Sequence, residues 1–445
     1  MAAEYMNGIK VISEGLDSTS GMTLHEKQGL LSAAKQLVDK LEGPETGIWK
    51  VVFGPQANAT LRSAIEIRIF EVFEDNNEPR NADQLARQTG AEKLLLVRIM
   101  RALTSVGIFT EVGEETYTHN MRSKLFTNIT FRTMMRGMSS ILAPYLVKLP
   151  EYLSSTSFQN PSNGEQNLFQ YTMNTKMDYF DWLHTQPRDL EIFSAAMQAS
   201  SQGSQSAAAE LVSSQFPLSD VLNCGTKNSE ELQEENVLIV DVGGGRGKVL
   251  DDLRMARPDL QGGMIVQDLP KEIDGREPTP VLGVWRMIFS LLNQLKVRAH
   301  TYFFRHIFHD WPDNVCIKIL QQTTLAMQKG YSRILIVDSV LPDMGASVYG
   351  SLLDINMMAL SGIERTEKQW KKLLEGEGLK VVNIQWPATS GEVEIVFWRP
   401  YWSKARSHSL SLTLFGLHSF DQKYAVIRDI AIPISQAKHE KSQKS

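Results

Sequence analysis

A glycine-rich turn follows an apolar segment that ends in an acid, within the sequence VLIVDVGGGRGKVL. The acid is Asp241, and the glycines are Gly243, Gly244, Gly245 and Gly247. Glycine adopts positive φ angles at little cost and lets the backbone approach a ligand closely. A ligand at such a turn lies at the carboxyl end of the strand and faces the N-terminus of the following helix. The segment therefore predicts a small-molecule site.

Three ligand classes could use this turn. A P-loop is excluded because Lys248 is followed by valine, and the G-x-G-x-G spacing differs from the dinucleotide pattern G-x-G-x-x-G. Asp241 would repel a pyrophosphate and suits a cationic amine or sulfonium, which indicates S-adenosylmethionine. Asp268 ends the next apolar segment, 21 residues after Gly247, where a carboxylate can accept hydrogen bonds from both ribose hydroxyls. The alternative is an ordinary tight turn without a ligand.

A histidine in the segment RHIFHDWPDN is the candidate for acid–base chemistry. His309 follows an apolar run at residues 300–306, so it faces the ligand crevice if that run is a parallel strand. An imidazole titrates near neutral pH and can remove a proton as a general base. A carboxylate on its other nitrogen would orient it, and Asp338 and Glu364 are the candidates. The alternatives are a hydrogen-bonded core histidine for His309 and a solvated loop acid for Glu364.

Alternating strands and helices from residue 236 onward must position these side chains. Apolar segments separated by helical ones indicate a buried, mostly parallel sheet, and hence a doubly wound, Rossmann-like α/β domain. A short loop joins the last two strands, which we therefore expect to be antiparallel neighbours. The predicted strands are 236–242, 263–268, 300–306, 333–340, 379–386 and 392–398.

The region before this domain is predicted to be helical. Residues 1–20 lack an evident pattern, and residues 24–42 form an amphipathic helix that ends at Gly43-Pro44. Helices at 59–75, 81–90 and 91–109, followed by a hairpin around Gly113, match a winged helix, and Asn81 and Gly90 fit the N- and C-terminal caps of the second helix. Residues 131–215 are helical, with a polar loop at 154–166. They are rich in Met and aromatic residues, which predicts either a helical core or the wall of a substrate pocket. We expect units at 1–50, 55–130, 131–215, 216–400 and 401–445, of which the last lacks a clear period.

The composition excludes several classes of protein. The 445 residues carry a net charge of −5, which argues against general nucleic-acid binding. Two cysteines exclude a disulfide scaffold and suit a reducing compartment. The sequence shows neither a signal peptide nor an apolar run long enough for a membrane span, so we expect a cytoplasmic protein. We find no evident metal-ligand cluster in the sequence and expect a metal-independent reaction.

Five segments in the order DVGGGRG, VQDLP, RHIFHDWPD, LIVDSVLP and GIERTE resemble the plant and fungal S-adenosylmethionine-dependent O-methyltransferases of the caffeic-acid type. Residues 55–130 resemble the dimerisation domain of that family, which implies a homodimer. The resemblance implies that His309 is the catalytic base, flanked by Asp338 and Glu364. It also implies cofactor contacts and a substrate contact, which fall on Asp241, Gly243, Gly244, Gly245, Gly247, Asp268 and Arg305 for the cofactor and Met357 for the substrate.

The predicted activity is methylation of a hydroxyl on a small aromatic or polyketide-type secondary metabolite. Residues 270–300 depart from the family, since Gly275, Pro278 and Pro280 interrupt the expected helix. This departure motivates the alternative of a catalytically impaired binding or partner protein. A DNA-binding regulator that uses the winged helix is a third alternative, with Lys93, Arg98 and Arg101 on one helix.

Overall fold

The computed structural model describes residues 2–16, 24–73, 78–162, 166–203, 237–245, 247–260, 262–268, 287–288, 298–328, 331–381, 383–385 and 423–428. Several predictions lie outside these residues, namely the helix at 204–215, the strand at 392–398 and most of the unusual 270–300 segment.

The chain begins with three helices, α1 (Ala2–Leu16), α2 (Leu24–Val52) and α3 (Gly54–Glu66). The helix α1 corrects the expectation of irregular structure for residues 1–20, and its apolar residues do recur at helical spacing, at Met6, Ile9, Ile12 and Leu16. The predicted break in α2 is present, because Gly43 has φ 73° and ψ 166°. Helical structure resumes at Pro44, whose fixed φ suits a first helical turn.

The single helix predicted for residues 59–75 was wrong at its C-terminal end. The helix α3 stops at Glu66, and Arg68 adopts a left-handed conformation with φ 65°. The Ile69 N–H donates to the Ala64 carbonyl at 3.0 Å, which closes the helix end. This turn buries Ile69 and Phe70 completely, so burial of these side chains outweighs the continuation of the helical pattern.

The winged helix predicted for residues 55–130 is present. It contains α4 (Ala82–Thr89), α5 (Lys93–Ser105), α6 (Met121–Leu125), and a sheet of β1 (Arg80–Asn81), β2 (Thr110–Gly113) and β3 (Thr116–Thr118) in the order β1-β3-β2. The predicted caps of α4 are confirmed, since Asn81 forms a capping box with Gln84 and Gly90 is left-handed.

Four helices connect this region to the α/β domain: α7 (Ile129–Ser155), α8 (Leu168–Met173), α9 (Tyr179–His184) and α10 (Pro187–Gly203). Most of the polar loop predicted at 154–166 separates α7 from α8. The helices enclose a buried cluster that includes Tyr145, Tyr152, Phe169 and Tyr179. The core interpretation of the aromatic residues is therefore correct for these four side chains.

The α/β domain contains a sheet of eight strands among the described residues. The strands are β4 (Val237–Val242), β5 (Gly263–Asp268), β6 (Met287–Ile288), β7 (Ala299–Arg305), β8 (Arg333–Leu341), β9 (Arg365–Thr366), β10 (Asn383–Gln385) and β11 (Lys423–Arg428). The helices are α11 (Lys248–Ala256), α12 (Asp313–Ala326), α13 (Val348–Met357) and α14 (Glu367–Gly376). Buried apolar clusters cover both faces of the sheet.

The strand order is β10-β11-β8-β7-β4-β5-β6, and β9 pairs with β8. All pairs are parallel except those of β11, which runs antiparallel to β8 and β10. Because β5 and β7 flank β4 on opposite sides, the order in which the strands are added to the sheet reverses between β4 and β7. The carboxyl ends of these two strands therefore border the crevice in which open α/β sheets bind ligands.

The structure contains one strand that the sequence analysis did not predict. The antiparallel strand beside β8 is β11, at residues 423–428, within a tail that lacks a clear sequence period. Its sequence KYAVIR is too short for periodicity to distinguish it from a loop. None of the described helices combines the length and the apolar character that a bilayer-spanning segment requires.

Candidate active site

The glycine-rich turn lies at the carboxyl end of β4. Gly243 and Gly247 have φ angles of 75° and 76°, and Gly247 caps the N-terminus of α11. The Gly243 N–H donates to the Gln267 carbonyl at 2.7 Å, and the Gly245 N–H donates to Asp268 Oδ2 at 2.6 Å. These two bonds fix the turn to β5. The predicted Asp241, glycines and Asp268 are thus brought to one edge of the sheet.

The shape of the turn fits a ligand at Gly245. A Cβ atom at Gly244 would lie 2.5 Å from the Asp241 carboxylate, and one at Gly243 would overlap the Ile307 side chain. A Cβ at Gly245 would meet no atom of the described residues within 4 Å. Within the described part of the chain, the turn therefore has open space at Gly245, whereas Gly243 and Gly244 contact the protein closely. The Asp268 carboxylate contacts Gly245 and the Asp241 carboxylate lies against Gly244. Negative charge at this turn suits the positive end of S-adenosylmethionine.

Asp241 is 2% exposed, and its burial raises the pKa of the carboxyl to about 7. The Arg305 guanidinium lowers this pKa and the Asp268 carboxylate raises it. A carboxylate that is costly to ionise in an empty site becomes favourable to ionise when a cation binds beside it. Arg305, at the end of β7, is therefore close enough to act on the acid that we assign to the cofactor.

His309 lies in a short 3-10 helix after β7 and meets both predicted acids. Its Nδ1 atom is 2.8 Å from Glu364 Oε1 and 3.5 Å from Asp338 Oδ1. The His309 backbone N–H donates to Asp338 Oδ2 at 3.2 Å. The Glu364 and Asp338 side chains are fully buried, so neither acid is a solvated loop residue. Glu364 accepts a hydrogen bond from the Nδ1–H group of His309. This leaves Nε2 as the nitrogen that can bind a substrate proton.

Burial of the His309 imidazole lowers its pKa, but the carboxylates of Asp338, Glu364 and Asp310 raise it further, to well above 6.5. The pKa of Asp338 is lowered despite its burial, because the neighbouring His309 and His306 favour the carboxylate. Burial raises the pKa of Asp310 to about 6. The surrounding carboxylates thus favour the protonated form of the imidazole, and positive charge nearby would favour release of its proton.

Two residues that hold His309 in place were missed by the sequence reasoning. A Cβ atom at Gly362 would overlap the His309 carbonyl oxygen and lie 2.9 Å from the Asp310 carbonyl carbon. Only glycine allows this close approach of the two backbones, and the Ile363 N–H donates to the His309 carbonyl at 2.9 Å. The glycine in GIERTE, two residues before the acid, was the available signal.

Arg365 is the second missed residue, and it is 1% exposed. Its guanidinium donates to the carbonyls of Phe308 and Trp311, each at 2.8 Å, and to the Asp313 carboxylate at 2.8 and 3.0 Å. One of these acceptors directly precedes His309 in the sequence, and the other two follow it within four residues. Arg365 therefore fixes the loop that carries the histidine, one residue after the acid that orients it.

We expect Arg365→Gln to lower the free energy of unfolding by about 2–4 kcal/mol, because two buried carbonyls lose their charged donor. The same change should lower kcat, since the His309 loop loses its fixed position. Arg365→Lys is the matched control that keeps the charge and loses the planar fork, and we expect an intermediate loss. Urea unfolding and steady-state kinetics measure both effects. Unchanged unfolding in the glutamine variant would contradict the role.

The remaining predicted residue, Met357, is half-buried at the end of α13. Its carbonyl accepts the Gly362 N–H at 2.9 Å, so it lies at the turn that leads to Glu364. The expectation that the chain lacks a metal-ligand cluster needs correction. His306, His309 and Asp338 each offer a ligand atom, and these atoms lie within 4.8 Å of one another.

The fold and the site together define an S-adenosylmethionine-dependent methyltransferase. The family model of the O-methyltransferase domain matches residues 162–380, and that of the O-methyltransferase dimerisation domain matches residues 49–128. The methyltransferase cfoC of Aspergillus candidus is 30% identical over 369 residues, which cover 83% of this chain and 90% of that protein. The demethylsterigmatocystin 6-O-methyltransferase of Aspergillus flavus is 30% identical over 342 residues, which cover 75% and 84%.

Solved structures share the fold at lower sequence identity. OxaC in complex with S-adenosylhomocysteine and oxaline has a TM-score of 0.75 and 24% identity, covering 97% of this chain and 99% of that one. LepI in complex with S-adenosylmethionine has the same TM-score and identity, and covers 97% and 100%. The chain belongs to the O-methyltransferase family of the type found in fungal secondary metabolism, and its cofactor is S-adenosylmethionine.

Proposed function

We propose that His309 is the general base of this methyltransferase and that the acceptor is a hydroxyl on a small aromatic or polyketide-type metabolite. The observation that carries the proposal is the buried contact of 2.8 Å between His309 Nδ1 and Glu364 Oε1. It holds the ring in the tautomer whose Nε2 can accept a proton. Asp338, at 3.5 Å from the same nitrogen, adds a second negative charge that stabilises the imidazolium formed.

The steps assigned to the chain are binding, orientation and proton removal. Asp241 and the glycine-rich turn bind the positively charged end of the cofactor, and Asp268 accepts hydrogen bonds from its ribose. When bound, S-adenosylmethionine supplies a methyl group on a sulfonium sulfur. His309 Nε2 removes the proton of the substrate hydroxyl, which makes the oxygen nucleophilic. Positioning of the two reactants contributes up to about 7–11 kcal/mol in favourable cases.

An aromatic surface beside His309 supports an aromatic acceptor. The Phe180 ring on α9 lies 5.9 Å from the Trp311 ring, and Trp311 is two residues after His309. Both side chains are half-buried, so each keeps an accessible part. The helices between the winged helix and the α/β domain thus contact the loop of the proposed base. We propose that this aromatic pair and Met357 form part of the substrate pocket.

Two further proposals concern the organisation of the chain. We propose a homodimer formed through the winged-helix region, which the dimerisation-domain match supports. We also propose that the units divide near residues 50, 130, 215 and 400. The DNA-binding alternative loses support, because Lys93 is paired with Asp83 and Glu115, each at 3.0 Å.

Incubation with S-adenosylmethionine labelled on the methyl group and a panel of phenols tests the proposed function. We expect label to appear in an ether, with one equivalent of S-adenosylhomocysteine formed for each ether. Metal chelators should leave the rate unchanged. Cofactor binding without methyl transfer to any member of a broad panel of phenolic and polyketide-type compounds would favour the impaired binding protein instead.

A further inference from the structure

A second histidine lies beside the proposed base. The rings of His306 and His309 are 5.2 Å apart, centre to centre. His306 Nδ1 is 3.8 Å from Asp338 Oδ1, and His309 Nδ1 is 3.5 Å from the same oxygen. Asp338 is fully buried, and its Oδ1 atom is close to both histidines. The methyl-transfer mechanism uses His309 and Asp338 but assigns nothing to His306.

We propose that His306, His309 and Asp338 form an inhibitory binding site for Zn²⁺. A tetrahedral zinc ion has ligand bonds of about 2.0–2.1 Å, so its ligand atoms are roughly 3.4 Å apart. The two histidine–Asp338 separations of 3.5 and 3.8 Å are close to this value, and all three ligand atoms lie within 4.8 Å of one another, so binding requires them to move closer by at most about 1.4 Å. Two imidazoles and a carboxylate are a ligand set that zinc commonly takes in proteins.

A fourth ligand is available at the same place. Glu364 Oε2 is buried and has no hydrogen-bond partner among the described residues. Glu364 Oε1 contacts His309 Nδ1 at 2.8 Å, so the carboxylate is already next to the ion position. When the ion replaces the Nδ1 proton, that oxygen loses its hydrogen bond, and the carboxylate can coordinate the ion instead.

Backbone geometry holds His306 toward this site. His306 has φ 52°, a left-handed conformation that a non-glycine residue adopts at a cost. Its N–H donates to the Val337 carbonyl at 3.0 Å, one residue before Asp338. The His306 side chain is 30% exposed, whereas Asp338 is 1% exposed. An ion can therefore approach from solvent past His306 and reach the buried carboxylate.

Zinc at His309 Nδ1 would stop proton abstraction for a defined reason. A neutral imidazole that binds the ion through Nδ1 carries its proton on Nε2. Nε2 then cannot accept the proton of a substrate hydroxyl. Binding also displaces a proton from any imidazolium in the trio, so it competes with protons. Inhibition rests on the proposed role of His309, whereas binding of the ion does not.

The experiment uses the full-length enzyme with ZnCl₂ and measures binding and activity separately. Equilibrium dialysis with metal analysis should show one Zn²⁺ bound per chain. The rate of methyl transfer should fall at micromolar concentrations of Zn²⁺, while the affinity for S-adenosylhomocysteine stays within about twofold. We expect His306→Gln to raise the zinc Kd at least tenfold. The zinc concentration that halves the rate should rise by a similar factor, with inhibition of the variant measured against its own rate without zinc. His300→Gln, at the opposite end of β7, is the control and should bind and respond like the wild type.

Equal zinc binding by His306→Gln and wild type would overturn the site, as would the absence of stoichiometric binding. Stoichiometric binding that His306→Gln abolishes, without any loss of methyl transfer, would support the metal site and reject His309 as the base. Absorption bands of bound Co²⁺ in the visible range report on the coordination of the histidines without an activity assay, and they should weaken in His306→Gln.

Discussion

Replacing His309 by glutamine is expected to lower kcat by about 10²–10⁴-fold, the usual contribution of a positioned general base. Glutamine keeps a polar side chain of similar size but cannot accept the substrate proton at neutral pH. The affinity for S-adenosylhomocysteine should stay within about twofold, because the glycine-rich turn and Asp241 are unchanged. Single-turnover methyl transfer and isothermal titration measure the two quantities.

The control for this variant is His300→Gln. His300 is buried at the start of β7, five residues before Arg305 and roughly 16 Å along the strand from the carboxyl end that borders the site. It should keep kcat within about twofold. An equal loss of methyl transfer and cofactor binding in His309→Gln would point to a disturbed fold and reject the assignment of a base.

Asp241→Asn is expected to change stability and cofactor binding in opposite directions. The pKa of Asp241 rises from 3.8 to about 7 on folding, so the ionised carboxylate destabilises the ligand-free protein by up to about 4 kcal/mol at pH 8. This cost is present above the folded pKa and disappears as the pH falls toward 4. The asparagine variant should therefore unfold at a higher temperature at pH 8, with a difference that shrinks in acid.

The same variant should bind S-adenosylmethionine at least about 30-fold more weakly at pH 8, because it lacks the negative charge opposite the cation. In the wild type, a folded pKa of about 7 makes the affinity rise roughly fivefold between pH 6 and pH 7, as the carboxylate ionises. The pH dependence should be absent in Asp241→Asn. Isothermal titration at the two pH values measures this, and an unchanged pH dependence in the variant would assign the titration to another group.

The local sequence predicted most elements that position the site. Alternation of apolar strands and helices located β4, β5, β7 and β8 within about one residue of their observed bounds, because buried parallel strands require continuous apolar runs. The capping residues Asn81 and Gly90 located both ends of α4, because a cap acts within one turn of the helix end. Helix α1 was predictable as well, because its apolar residues recur at helical spacing. The strand β11 was not predictable, because its six residues carry too little periodicity.

Residue type suggested which side chains form the proposed site, but it did not predict their mutual contacts. Asp338 and Glu364 were equal candidates for the partner of His309, and the distances of 3.5 and 2.8 Å distinguish them. Glu364 is 55 residues away in sequence, so no local pattern relates it to the ring. The placement of Glu364 depends on the close backbone contact at Gly362 and on the bonds of Arg365.

The sequence by itself determined which side chains are available for the proposed chemistry: an acid and glycines after one strand, a histidine after another, and strands that end at one edge of a sheet. The tertiary structure alone decided which acid contacts the His309 ring most closely, which arginine fixes its loop, and that His306 and His309 share Asp338. The physical reason is that hydrogen bonds and ion coordination depend on distances below 4 Å between side chains from different strands, and only chain packing sets those distances.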